Sequence, residues 1–390
     1  MHARARPLQP AATPVAPLPS VGGWRDRLLA WRDRLLADPG FQRWASGSLL
    51  TRAIARRRAG QLFDLCAGFI HSQVLLACLR LRLLERLEAA PCAPADLAGA
   101  LDLPPASLAR LLEAATALGL TEWRSGGRIG LGSVGAALLG NAAVRSMVEH
   151  HSALYDDLRD PVALLRGQGP GQLAGLWAYA RSGEAAGLPR QAVGRYSELM
   201  AATQPLVAED LLDAWPFDRH RLLLDVGGGT GGFLLSAARR APGLRLQLFD
   251  LPAVAALATE RFAAEGIADR ATAHGGDFTR DPLPAGADLL TFVRVLHDHD
   301  DDAVRTMLRA ARAALAPGGR VLVAEPMAGV RGSLPATEAY FAIYLLAMGQ
   351  GRARTPAELA ALLREAGFRE PRLLATPRPW QCAVICAQAA

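Results

Sequence analysis

From about residue 218 onward, short apolar runs alternate with stretches in which apolar side chains recur every three or four positions. R-L-L-L-D-V (221–226), R-L-Q-L-F-D-L (245–251), A-D-L-L-T-F-V-R-V (287–295) and R-V-L-V-A-E (320–325) have strand length and are apolar almost throughout. Between them F-L-L-S-A-A-R-R-A, V-A-A-L-A-T-E-R-F-A-A and D-A-V-R-T-M-L-R-A-A-R-A-A-L carry helical spacing. Apolar strands linked by helices predict an α/β fold: a parallel, doubly wound, Rossmann-like sheet covered on both faces. A helix at 356–366 and strands near 370–376 and 381–387 close the pattern.

Upstream the pattern is helical over 55–200. Residues 93–120 read helix, turn, helix, and R-S-G-G-R-I-G-L (124–131) follows as a wing. Winged helices that read DNA aim polar and basic side chains at the groove. Here the second helix offers Arg110 among leucines and alanines, which points to core or subunit packing and not to nucleic acid. The apolar run from Leu65 to Leu84 is interrupted by His71, Ser72, Gln73, Arg80 and Arg82, so a buried helix is expected and not a membrane span. Before it, W-R-D-R-L-L-A occurs at 24–30 and again at 31–37, and Trp24, Leu28, Trp31 and Leu35 share one helical face flanked by arginines. Two readings of this arm, 23–54, stay open: packing on a partner subunit, or lying in a membrane interface. Residues 1–22 are broken by prolines and have no apolar centre, which predicts a disordered tail and no signal peptide. The expected domains are thus 1–22, 23–54, 55–200 and 201–390.

Composition narrows the chemistry. The net charge is +6, and its basic side is all arginine because the 390 residues include no lysine. Schiff-base, P-loop and lysine-base mechanisms are therefore excluded. The basic excess suits an anionic membrane surface without requiring nucleic acid. Cysteines at 66, 78, 92, 382 and 386 form no C-x-x-C pair, so reduced thiols in a cytoplasmic protein are expected.

L-L-L-D-V-G-G-G-T-G-G-F (222–233) places a glycine turn between strand and helix, and Gly227, Gly229 and Gly232 satisfy G-x-G-x-x-G. Such a turn lets a ligand approach the backbone, and the helix start favours electron-rich groups. Asp225 precedes the glycines, where it can meet the ammonium of an amino-acid-like ligand. Asp250 ends the next strand, where it can accept from ribose hydroxyls. In G-G-D-F (275–278), Asp277 can take an adenine amino group while Phe278 lies against the ring. Acids at successive strand ends favour S-adenosylmethionine. A dinucleotide, or a glycine turn without a ligand, stays as the alternative.

V-R-V-L-H-D-H-D-D-D (293–302) follows the fourth strand. His297 stands at a carboxyl end, where ligands of open α/β sheets bind. An imidazole near neutral pKa suits removal of a proton from an attacking hydroxyl, worth about 10²–10⁴-fold. Asp300 to Asp302 are expected to cap and charge the start of a helix at 303–315. No metal is expected, since no second ligand cluster exists. A metal site or a structural histidine are the competing readings of His297.

L-L-D-V-G-G-G-T-G, F-D-L-P, G-D-F and V-L-H-D-x-x-D-D, behind a winged-helix-like region, resemble the small-molecule O-methyltransferases related to plant caffeate and acetylserotonin enzymes. The resemblance covers roughly 60–390. It implies the class I S-adenosylmethionine methyltransferase fold, a homodimer formed through the helical domain, and His297 as base with Glu325 orienting it. It implies that Asp225, Gly227, Gly229, Asp250, Asp277, Phe278 and Arg294 line the cofactor. The family's tryptophan after His-Asp is His299 here, its lysine four positions before the base is Val293 with Arg294 displaced by one, and a second flanking glutamate would fall near Ala353. Residues 56–78, 147–167 and the doubled W-R-D-R-L-L-A look like the carotenoid O-methyltransferases of phototrophic bacteria. That likeness implies methylation of the 1-hydroxyl of acyclic hydroxycarotenoids in spheroidene- and spirilloxanthin-type biosynthesis, and peripheral contact with the inner or photosynthetic membrane. Residues 339–348 and 63–84 are then expected to line an apolar channel. His150 and His151 are expected to be structural or to serve the acceptor site. A phenolic or polyketide acceptor, and a winged-helix regulator that only senses a ligand, are the alternatives.

Overall fold

The computed structural model describes residues 23–169, 171–176, 204–205 and 207–390. The tail expected over 1–22, and residues 170 and 177–200 of the expected helical region, lie outside the described residues. The chain separates into two compact units, Met1–Gln73 and Val74–Ala390.

In the first unit the doubled heptapeptide forms one helix, α1 (Trp24–Ala37). Asp38 ends it and accepts the Phe41 amide at 2.6 Å, starting α2 (Pro39–Gly47) with proline at its first position. No residue of α1 is buried, and Trp24, Leu28, Leu29 and Trp31 are exposed. Next comes α3 (Arg52–Arg80), 29 residues long. Its apolar run departs from the expectation of a buried helix. Leu62, Phe63, Leu65, Phe69 and Ile70 are exposed, and burial is confined to Leu76, Cys78 and Leu79. Periodicity shows which side chains leave water, not what covers them. Among the described residues this helix is long and apolar enough to cross a membrane by length and composition.

The second unit begins with the expected winged arrangement. After α4 (Leu83–Ala89) come α5 (Pro94–Leu101) and α6 (Pro105–Ala117). A hairpin follows, β1 (Thr121–Arg124) paired antiparallel to β2 (Arg128–Leu131). Leu83, Leu84, Leu97, Leu108, Leu112 and Ile129 form its core, while Arg110 is exposed on the outer face of α6. The helices α7 (Ser133–Leu139), α8 (Ala142–Asp157), α9 (Pro161–Leu165) and α10 (Gln172–Leu176) continue the chain. Buried Asp157 ties α8 to α10 by accepting the Gln172 and Leu173 amides, each at 2.8 Å.

The rest is a seven-stranded sheet in the order β5-β4-β3-β6-β7-β9-β8. The strands are β3 (Leu222–Val226), β4 (Arg245–Asp250), β5 (Ala271–Gly275), β6 (Ala287–Val293), β7 (Leu315–Glu325), β8 (Phe368–Leu374) and β9 (Ala383–Ala389). β3 to β7 are mutually parallel, as the apolar strand pattern predicts, and β8 and β9 add antiparallel edges. The interleaved helices are α11 (Gly232–Arg240), α12 (Pro252–Ala264), α13 (Asp301–Ala314), α14 (Pro335–Met348) and α15 (Pro356–Glu365). Two apolar clusters sandwich the sheet, one with Phe292, Met307 and Leu359, the other with Phe217, Phe233 and Phe262. The strand order reverses between β3 and β6, which opens a crevice at their carboxyl ends.

Candidate active site

The glycine turn leaves β3 at that crevice. Gly227 has φ 71°, and a Cβ there would meet Val295 Cγ2 at 2.8 Å, so the turn presses on the segment that leads to His297. Gly228, unremarked in the fingerprint, leaves room for Asp225. A Cβ on it would sit 2.6 Å from Asp225 Oδ2. Asp225 is fully buried. Its Oδ1 accepts the Thr291 hydroxyl at 2.6 Å, and its Oδ2 has no hydrogen-bond partner. Burial pushes its pKa up to about 7; the Thr291 bond opposes this and Asp250 adds to it. An orphaned, buried acceptor beside a glycine cradle fits the ammonium end of S-adenosylmethionine.

Asp250 organises the turn from the next strand. Oδ2 accepts the Gly229 amide at 2.8 Å and Oδ1 the Leu251 amide at 2.7 Å. Burial raises its pKa to about 6 against those two bonds. Each oxygen retains a lone pair for a ribose hydroxyl. Asp277 is engaged locally, with Oδ1 accepting the Thr279 amide at 2.9 Å and the Thr279 hydroxyl at 2.6 Å. Phe278 is half-buried and meets His299 edge-on at 5.4 Å between centroids. Arg294 adopts a left-handed backbone, φ 56°, and its amide donates to Ala324 O at 2.8 Å. Its charge acts on Cys382, whose pKa is raised chiefly by burial.

His297, the expected base, follows in a 3₁₀ turn, Leu296–Asp298. His297, Asp298 and Glu325 are all buried. Glu325 Oε2 accepts the His297 backbone amide at 3.1 Å and lies 3.5 Å from Nδ1, so it holds the residue chiefly by the main chain. Nε2 lies 3.0 Å from Asp298 Oδ1, an oxygen with no hydrogen-bond partner; the contact is one of charge, not of hydrogen-bond alignment. The imidazole does not have the near-neutral pKa expected from sequence. Burial alone pulls it down, but Asp298 and Glu325 together raise it to about 10. His299, also buried, is shifted down, mainly by burial.

The acidic run occupies the expected helix start, with Asp300 at the N-cap and Asp301 and Asp302 in the first turn, but the cap bond itself is absent. Asp300 makes no side-chain cap on α13, and its Oδ1 accepts the Gly351 amide at 3.1 Å. Asp301 receives Arg354 and Arg352. Arg354 is the residue that sequence reasoning missed. It is fully buried one position after Ala353, with Nη1 donating to Leu296 O at 2.7 Å, Nη2 to His299 O at 2.6 Å and Nε to Asp301 Oδ1 at 2.8 Å. Those carbonyls bracket His297 and Asp298. Gly351 packs from the same segment: at φ 77° a Cβ would meet His297 O at 2.2 Å. The available signal was two arginines just ahead of a capping box, Thr355 with Glu358.

An apolar cavity of about 330 Å³ opens beside this turn, lined by Met327, Phe341, Ala342, Leu346 and Trp380, with Ser333, Thr337, Glu338 and Arg352 as its polar members. The Phe341 ring lies 6.5 Å from that of His297. Of the two stretches expected to line a channel, 339–348 contributes Phe341, Ala342 and Leu346, and among the described residues the lining includes none of 63–84. His150 and His151 bond to the hydroxyls of Tyr344 and Tyr340, on α14, at 3.0 and 2.9 Å. Burial lowers both pKa values, that of His150 to about 4 with His151 adding repulsion. Among the described residues no cluster of three His, Cys, Asp or Glu side chains could hold a metal ion.

Comparison with known proteins agrees with this geometry. Residues 155–369 match the model of the O-methyltransferase domain, and residues 63–141 that of the O-methyltransferase dimerisation domain. The chain is 43% identical over 347 residues to a demethylspheroidene O-methyltransferase of Cereibacter sphaeroides, covering 89% of this chain and 91% of the relative. It is 34% identical to an acetylserotonin O-methyltransferase of Mus musculus, covering 80% and 84%. Among solved structures, the apo form of the S-adenosylmethionine-dependent methyltransferase SibL superposes with a TM-score of 0.71 at 28% identity, covering 84% of this chain and 98% of that one.

Arg354→Met tests the clamp on the turn. Asp301 is part-exposed and keeps Arg352, so the variant leaves no buried orphan charge and is expected to fold. Loosening the turn is expected to cut kcat about 10²-fold while the dissociation constant for S-adenosylmethionine stays put, because the glycine turn is untouched. Equal losses in both, with a lowered melting temperature, would reduce Arg354 to a general stabiliser.

Proposed function

The chain belongs to the O-methyltransferase family, and from that premise we propose that it methylates the 1-hydroxyl of acyclic hydroxycarotenoids, with His297 as base. It is an S-adenosylmethionine-dependent enzyme carrying the family's dimerisation domain. The observation that carries the substrate class is the identity with a demethylspheroidene O-methyltransferase over about nine-tenths of both chains. The cavity beside His297 supports it, since its apolar walls suit the hydrocarbon next to the reacting hydroxyl.

S-adenosylmethionine supplies an electrophilic methyl group on a sulfonium. Asp225 Oδ2 would take the ammonium and Asp250 the ribose hydroxyls, with the Gly227–Gly229 turn leaving room for the ligand. Asp277 and Phe278 face the adenine. Arg294 serves through its backbone, which secures β6 to Ala324 beneath the base. A tertiary alcohol is a weak acid, so its proton leaves late in the displacement. Holding the hydroxyl in line can supply roughly 7–11 kcal/mol. His297, an imidazolium between two carboxylates, has to lose its proton to solvent before it can accept one from the hydroxyl, and the positive charge of the donor would favour that loss.

A carotenoid resides in a bilayer, and we place this enzyme at the cytoplasmic membrane surface. Residues 24–58 hold nine arginines against three aspartates, and Trp24, Trp31 and Trp44 are exposed. Indoles at the headgroup boundary with guanidiniums toward phosphate is the arrangement of an interfacial helix. The exposed stripe of α3 from Phe63 onward falls in the dimerisation domain, so the second copy of the chain is its proposed cover.

Methyl transfer from labelled S-adenosylmethionine to 1-hydroxyneurosporene in detergent tests the acceptor and the base together. Product from the wild type and at least a tenfold loss in His297→Ala are expected, about the worth of a general base. Product at equal rates would reduce His297 to a structural residue. No product from an enzyme that still binds its donor would sink the carotenoid reading and point to phenols. For the arm, Trp24→Ser/Trp31→Ser is expected to keep its rate in detergent and to lose flotation with phosphatidylglycerol vesicles. Undiminished flotation would contradict the membrane role.

A further inference from the structure

We propose that Arg320, Arg372 and Trp215 form a second ligand site, for a phosphate or phosphate monoester, on the side of the sheet away from the base. A cavity of about 530 Å³ lies there, lined by Trp215, Arg219, His220, Arg320, Arg372 and Leu374. Arg320 precedes Glu325 by five residues along β7, about 16 Å at the rise of a strand. The guanidiniums of Arg320 and Arg372 both sit over the Trp215 ring, 5.5 and 5.8 Å from its centre.

Arg372 reaches that position only through a defect in the sheet. Phe368 pairs with Ala389 and Arg369 with Gln388, but Arg372 pairs with Cys386, so Glu370 and Pro371 together oppose Ala387 alone. In unbroken register Arg372 would face Ile385 and share the opposite face. The extra residue turns it over, onto the face of Cys386 and Arg320, whose Nη1 lies 3.9 Å from Cys386 Sγ. The bulge is strained: Glu370 sits at φ 50°, a left-handed backbone in a residue other than glycine. Strain of this kind concentrates where a side chain is aimed at a task.

What the strain achieves is otherwise unfavourable, since it brings two like charges onto one indole with a third, Arg219, at the cavity wall. Among the described residues none of the three forms an ion pair with a carboxylate. Asp288 reaches the cavity through His220, but it already accepts the Arg221 and Leu222 amides. The His220 ring is occupied as well, accepting the Trp215 indole N–H at 3.0 Å. Planar guanidinium forks lining one cavity suit a dianion with several acceptor oxygens, and phosphate meets that description better than a single carboxylate. The ligand can be a free phosphate compound or a phosphate headgroup at a membrane surface.

Calorimetric titration of the full-length protein with inorganic phosphate, in chloride buffer at fixed ionic strength, tests the site. One saturable site per chain is expected, weakened at least tenfold in Arg372→Gln, with methyl transfer unchanged. Arg372 is exposed, so its loss spares the fold, and Arg320→Gln is expected to repeat the effect. Flotation with phosphatidic acid vesicles separates the two sources. Recruitment that falls in Arg372→Gln and is competed by phosphate assigns the headgroup; recruitment indifferent to Arg372, alongside phosphate binding that depends on it, assigns a soluble phosphate compound. Equal phosphate affinity in wild type and variant, or no saturable binding at all, overturns the proposal.

Discussion

A guanidinium sealed from water holds the reactive turn in place. Arg354 has no exposed surface, so its charge must be answered by the protein, and the groups that answer it are Asp301 and the carbonyls of Leu296 and His299. Removing any of them would leave a buried donor unsatisfied at a cost of about 1–3 kcal/mol. The arginine and the turn therefore specify one another: the turn gives the charge a reason to be buried, and the charge fixes the two residues between its carbonyl partners. Glu325 secures the same turn from the end of β7 by taking the His297 amide. Where the plant pattern has a second glutamate, a different kind of support thus stands, which holds the backbone around His297 without touching the ring.

Around that turn the crevice is acidic and dry. Asp225, Asp250, Asp298 and Glu325 are all buried, and three of them own an oxygen without a hydrogen-bond partner, Asp225 Oδ2, Asp298 Oδ1 and Glu325 Oε1. Native interiors tolerate few such atoms, and a group of them marks a place prepared for something positive. S-adenosylmethionine carries two positive groups, an ammonium and a sulfonium. The raised pKa values have two origins: burial raises those of Asp225 and Asp250, whereas His297 is raised by the carboxylates of Asp298 and Glu325 against the effect of burial.

Much of this was legible in the sequence wherever the cause is local. A strand, a glycine turn and a helix within a dozen residues announce a ligand edge, and acids at strand ends are placed by the strands themselves. The wing, the parallel strands and the path of α14 past the base follow in the same way. What could not be read depends on contacts made far along the chain. Arg354 meets Leu296 across 58 positions, and nothing in G-R-A-R-T declares that meeting. The helix start expected at Asp300 to Asp302 is there, but the side chains of Asp300 and Asp301 are drawn to Gly351 and the two arginines for the same reason. The exposed stripe of α3 misled differently, because an apolar helix looks the same whether its own chain covers it or something else does. The bulge at Glu370 leaves no sequence mark of its own, yet it decides which face Arg372 takes.

The central claim is that His297 is the base and that buried carboxylates set its protonation. The pH dependence of kcat/KM reports the pKa of the essential base in the free enzyme. For the wild type the rate should climb through neutral pH and level off only near pH 10, because Asp298 and Glu325 hold the imidazolium. Asp298→Asn removes one of those charges and should bring the plateau down toward neutral pH, with activity at pH 7 maintained or raised. A limb that stays in place in Asp298→Asn, or a wild-type profile flat from pH 6 to pH 10, would contradict the account.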